Sequence, residues 1–183
     1  MVPDEDMIPL SSASALWDRI VLDVTRAYGS LSEPTWWFVS REHDRAPYAE
    51  LLAELSRLAA LTDDTDLNDD VGLYLTLTPL RHLRHGADAW SLCLSYAGPY
   101  AAFYRHGGPV LTEATPGLLA VESGVLELLR AHGVAPLGEE LLARPFPLPG
   151  LTHNDNPEEV LLFHVLFGDY EGLPWGWAGD GGS

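Results

Sequence analysis

The stretch LTDDTDLNDDVGLYLTLTP, residues 61–79, joins two segments of opposite character. Its first half packs five aspartates, Asp63, Asp64, Asp66, Asp69 and Asp70, into eight positions. Its second half alternates, with Val71, Leu73, Leu75 and Leu77 interleaved with Gly72, Tyr74, Thr76 and Thr78. A period of two puts one set of side chains on each face of a half-buried strand. The aspartates therefore read as an exposed loop that leads into a sheet.

Downstream, DAWSLCLSY (88–96) repeats the alternation with Trp90, Leu92, Leu94 and Tyr96 on one face. After the turn-forming Gly98-Pro99, YAAFYRHGG supplies a third strand. Short connections between consecutive strands favour an antiparallel meander over parallel units with crossover helices. From Pro116 the period becomes helical, with Leu118, Leu119, Val125, Leu126 and Leu129 as the stripe and His132-Gly133 as the stop. Gly138 to Leu142 suits a short helical turn, and ARPFPLPGLTHNDN (143–156) is a proline-rich connector without regular structure. Asn156 as N-cap, Pro157 at the first position, Glu158 and Glu159 at the positive end of the dipole and Gly168 as stop predict a last helix.

Upstream, Leu16, Trp17, Ile20, Val21, Val24 and Tyr28 lie at helical spacing within residues 11–28, and Gly29 ends the segment. PTWWFVS (34–40) is aromatic and β-branched enough to predict a strand, which would send Trp36 and Trp37 to opposite faces. Pro47 opens a second helix that runs to about Ala60, burying Leu51, Leu52, Leu55 and Leu58. The sum is one α+β domain over residues 1–183, with a mostly antiparallel sheet, a three- to four-stranded meander, covered by helices. Residues 1–10 and 178–183 read as flexible termini.

Charge narrows the function classes. Acidic residues number 27 against 10 basic ones, a formal charge of -17, which opposes a stable hold on a phosphate backbone and so excludes nucleic acid as partner. All ten basic residues are Arg, a bias that a GC-rich bacterial coding sequence explains. The start, MVPDEDMIPLSSAS, is acidic where an export signal carries positive charge, and no apolar run approaches the span of a bilayer, so a cytoplasmic protein without a membrane partner is expected. The single cysteine, Cys93, excludes an internal disulfide framework and a Cys-based zinc cluster; with no basic neighbour in sequence it reads as an inert packed thiol.

Asp64, Asp66, Asn68 and Asp70 alternate as oxygen ligands do at the start of a calcium-binding EF-hand loop. Such a loop needs Gly at its sixth position and Glu at its twelfth, where this chain has Asp69 and Leu75, so no metal is expected there. His82 and His85, with His106, lack the carboxylate spacing that would support a metal site, and His153 and Asp155 suit a turn before Pro157. FYRHGG (103–108) resembles the Arg-His-Gly motif of the histidine phosphatases, a likeness that implies His106 as nucleophile and Arg105 as phosphate ligand. It covers residues 103–117, a second Arg-His-Gly stands at 84–86, and 76 residues follow Gly107, where that family places most of its fold after the motif. No other catalytic signature occurs, and no cofactor is implied.

Residues 138–183 hold eight acidic side chains and one Arg. Together with the aspartate loop they suggest a negative face, and Trp175 and Trp177 beside it are the kind of residue that anchors interfaces. The expectation is an acidic cytoplasmic inhibitor of the immunity or antitoxin type, aimed at a basic partner such as a toxin, for instance a nuclease. Its expected contacts are Asp63, Asp64, Asp66, Asp69, Asp70, Glu158, Glu159, Asp169, Glu171, Trp175 and Trp177, with no catalytic residue assigned. The rivals are an enzyme or ligand-binding protein with a His/Arg/Asp pocket around residues 81–106, and a homodimeric scaffold that buries Trp36 or Trp37 between copies.

Overall fold

In the computed structural model, residues 13–80, 89–148, 160–168 and 173–175 are described. The first helix, α1 (Ala13–Tyr28), follows the apolar stripe: Ile20, Val24 and Tyr28 are fully buried, and Gly29 closes the helix at φ +77°.

The next segment corrects the strand expected over residues 34–40. It is the start of α2 (Trp37–Arg45). Phe38 and Val39 are buried and Glu42 and His43, one turn later, are half-buried, a helical stripe that outweighs the β-propensity of the aromatics. Trp36 and Trp37 are consequently both on the outside, 43% and 85% exposed.

The third helix, α3 (Ala49–Leu55), is shorter than the sequence suggests. Ala59 and Ala60, expected to prolong it, instead open β1 (Ala59–Asp63), because main-chain pairing with the edge of β2 (Gly72–Pro79) satisfies the strand's amides and carbonyls. β3 (Trp90–Ser95) and β4 (Tyr100–Arg105) continue an antiparallel order, with Leu75 opposite Leu92 and Leu92 opposite Phe103. A fifth strand, β5 (Ala135–Pro136), joins β4 in parallel, through Ala135 N–H to Pro99 O at 2.8 Å and Leu137 N–H to Ala101 O at 2.8 Å. The α+β class holds, but the sheet is five-stranded and mixed rather than a three- to four-stranded meander. A two-residue strand containing proline has no periodicity by which sequence reading can find it.

Both faces of the sheet are covered in its centre. Leu73, Leu75 and Leu77 share a face with Trp90, Leu92, Leu94 and Phe103, and α4 (Ala120–Ala131) packs there through Glu122, Val125, Leu126 and Leu129. On the other face Tyr104 meets Trp175, whose ring also stands at right angles to Phe163, 5.2 Å away. Cys93 is fully buried on that side, with Sγ 3.9 Å from Tyr104 Oη.

A short helix, α5 (Glu139–Leu142), lies where the sequence places it. The last helix, α6 (Leu162–Phe167), does not start at Asn156. Residues 156–159 lie outside the described residues, Leu161 is extended, and the segment is held to the proline-rich connector by Phe146 N–H to Val160 O and Leu162 N–H to Arg144 O. Every residue of α6 is buried, so it acts as a core plug rather than as an amphipathic cover. Gly168, at φ +84°, ends it as expected.

Candidate functional site

The aspartate loop is built by its own side chains. Thr65 N–H donates to Asp63 Oδ1 at 3.0 Å, Asp66 N–H to Asp70 Oδ2 at 2.6 Å, and both Asn68 N–H and Nδ2 to Asp66 Oδ1 at 3.0 and 2.8 Å. Tyr74 N–H donates to Thr65 Oγ1 at 2.9 Å, and Val71 N–H to Phe167 O at 2.9 Å. These bonds fix one loop shape between β1 and β2 while Asp63, Asp64, Asp66 and Asp69 stay exposed. Asp66 and Asp70 thus turn oxygens toward amides of their own loop, unlike the convergent ligands of a calcium loop. Among the described residues, no group of three or more His, Cys, Asp or Glu side chains is arranged to hold a metal, and Asp63, Asp64, Asp66 and Asp69 form no ion pair.

Of the other expected contacts, Trp175 is half-buried between Tyr104 and Phe163, so much of its ring serves the core. Glu158, Glu159, Asp169, Glu171 and Trp177 lie outside the described residues, as do His82, His85, His153 and Asp155. The exposed aromatic surface is elsewhere, at the start of α2. Trp36 leans edge-on against Tyr28, 6.0 Å between centroids, while Trp37 projects outward beside the exposed Ser40, Arg41 and Asp44.

The same helix borders a cavity of about 300 Å³ that sequence reading missed, lined by Glu42, Tyr48, Ser95, Tyr96, Gly98 and His132 among others. His43 Nδ1 lies 2.9 Å from Tyr96 Oη, and His132 Nε2 lies 3.2 Å from Glu54 Oε1. Tyr48 Oη donates to Ser95 O and lies within 3.2 Å of Gly98 O. Burial, then Tyr96 and Glu42, raise the Tyr48 hydroxyl far above its ordinary range. Burial and then Asp63 push Tyr96 up to about 12. These residues are scattered from 42 to 132 and leave no local spacing to read; the paired titratable groups appear only on folding.

A second cavity, about 370 Å³, is lined by Trp90, Arg105, His106 and Glu122 among others. At its floor Arg105 holds the fully buried Glu122, and Trp90 Nε1 and Leu119 N–H donate to the same carboxylate at 2.8 Å each. His106 reaches instead to Ser91, with Nε2 2.8 Å from Oγ. Arg105 and His106, neighbours in the phosphatase-like motif, therefore engage different partners. No family model, curated protein or solved structure matches the chain. Among the described residues no helix is long and apolar enough to cross a membrane.

Proposed function

We propose that this chain is a cytoplasmic protein-binding module of the immunity or antitoxin type, which neutralises a basic partner such as a nuclease toxin. The observation that carries this reading is Trp37, an indole 85% exposed on the first residue of a helix whose buried positions are filled by Phe38 and Val39. With Trp36, 43% exposed, next to it in sequence, Trp37 gives this end of the helix an exposed aromatic surface, and Trp is enriched where interfaces concentrate their energy. Charge supplies the partner's chemistry. A chain at -17 with a fixed, exposed aspartate loop attracts basic surfaces and speeds encounter, which suits an inhibitor that must act before its target does.

The test is capture from host lysate with the tagged chain and with Trp37→Ala, at low and at moderate salt, followed by co-expression with the captured protein. The expected result is a basic protein whose affinity falls about thirtyfold with the variant and whose toxicity the wild-type chain relieves. Recovery of the chain alone would favour the homodimer, in which Trp37 is buried between copies; mutual repulsion at -17 opposes that arrangement at low salt. A second reading, a small-molecule or enzyme site, is favoured by the cavity beside Arg105 and His106.

A further inference from the structure

We propose that the cavity between α2, α3 and the β3–β4 turn receives a basic side chain, arginine or lysine, of the protein partner. This rests on the reading above and names the contact that gives the partner its specificity. The lining is rich in acceptors: the Glu42 carboxylate, the Tyr48 and Tyr96 hydroxyl oxygens, and the carbonyls of Ser95 and Gly98. Most of its polar groups already have partners within the fold. The Tyr48 hydroxyl is directed at those two carbonyls, Tyr96 is paired with His43, and His132, the basic residue among the described lining, is paired with Glu54. An anion entering here meets few free donors, whereas a cation meets oxygen on several sides and the ring of Tyr96.

Glu42 already shows the preference. Arg41 Nε at 3.0 Å and Arg45 Nη1 at 2.9 Å both contact its Oε1. These two arginines are 59% and 64% exposed, so their pairs are worth little and an incoming guanidinium can displace either. At about 300 Å³ the cavity has room for one long side chain. Asp63, at the head of the aspartate loop, is close enough to raise the Tyr96 hydroxyl, which links the loop's field to the cavity mouth. Trp37 stands on the same helix as Glu42, so the aromatic anchor and the cation pocket share one rigid element.

The test uses the full chain and three small probes: N-acetyl-arginine amide, N-acetyl-lysine amide and N-acetyl-citrulline amide, the last an uncharged isostere of the first. The ring protons of His43 and His132 are followed by NMR during titration. Saturable shifts with the arginine or lysine probe and none with citrulline are expected, together with about tenfold weaker binding to Glu42→Gln. Equal shifts with citrulline, no saturable shift with either cation, or unchanged affinity in Glu42→Gln would overturn the proposal. Should Glu42→Gln fail to fold, Tyr96→Phe serves in its place, with weaker cation binding expected and unchanged binding overturning the proposal. The probe titration needs no partner, so it separates failure of the pocket from failure of the binding-module reading. A captured partner that binds Glu42→Gln as tightly as wild type would end the former and leave the latter intact.

Discussion

The guanidinium of Arg105 holds both oxygens of the Glu122 carboxylate, Nε on Oε1 at 2.6 Å and Nη2 on Oε2 at 2.7 Å. Burial alone would raise this carboxyl, but the hydrogen bonds from Arg105, the Leu119 amide and Trp90 outweigh it and hold the group below the ordinary carboxylate range. A depressed folded value means stability that is present above the ordinary carboxyl range and is lost as pH falls through the folded value. Glu122→Gln should cost about 3 kcal/mol at neutral pH, because Arg105 and Trp90 lose their charged acceptor. Urea unfolding at about pH 7 and about pH 4 checks this: the gap between wild type and variant should narrow in acid. A gap that stays constant would show that the carboxylate's charge contributes nothing.

Gly168 is the clamp on the aspartate loop. Its φ is +84°, and a Cβ there would stand 2.3 Å from the carbonyl oxygen of Asp69. Gly168→Ala should therefore destabilise the fold by about 2 kcal/mol or more, from backbone strain and the collision together. The loop should loosen more than the core. Hydrogen exchange at the Val71 amide, which donates to Phe167 O, should accelerate before that of the central strands. Unchanged protection at Val71 would refute the clamp.

Replacing Asp63, Asp64, Asp66, Asp69 and Asp70 with Asn should leave stability unchanged or raise it by about 1 kcal/mol at low salt, since an Asn carbonyl can accept the same loop amides while the repulsion disappears. The gain should shrink as salt rises. Urea unfolding in low and high salt, with and without calcium, is the measurement. Loss of folding, with calcium protecting the wild-type chain, would mean that the loop is a structural metal site.

The parts of this fold legible in the sequence are those where one period persists long enough to read. α1 keeps a helical stripe for 16 residues, and β2 and β3 alternate and pair as antiparallel neighbours. The failures each have a physical cause. At Trp36 and Trp37 intrinsic preference pointed to a strand, but the buried pair Phe38 and Val39 with Glu42 and His43 one turn on made a helix. Ala59 and Ala60 favour helix locally and were taken by the edge of β2. The aspartate loop was evident from composition alone. The oxygen-lined cavity of Glu42, Tyr48 and Tyr96 was not, because its members come from α2, the residue before α3 and the β3–β4 turn, and only tertiary packing brings them together.

Tyr48 gives the alkaline counterpart of the Glu122 experiment. Its hydroxyl is buried and directed at the carbonyls of Ser95 and Gly98, and its folded value is raised well above the ordinary 10.0. For a raised value the stabilisation is complete below the unfolded value and declines as pH rises through it, because the unfolded chain releases the proton first. Tyr48→Phe should cost about 1 to 2 kcal/mol at about pH 8, where the carbonyls of the buried Ser95 and the half-buried Gly98 lose their donor. It should also remove one proton from the alkaline linkage, so the two stability curves must converge as pH climbs past 10.0. Urea midpoints collected from about pH 8 to about pH 11, with the phenolate absorbance followed in parallel, test both statements. Parallel curves would mean that Tyr48 ionises as readily in the folded chain as in the unfolded one, and that the carbonyl cage around its hydroxyl does not favour the protonated form.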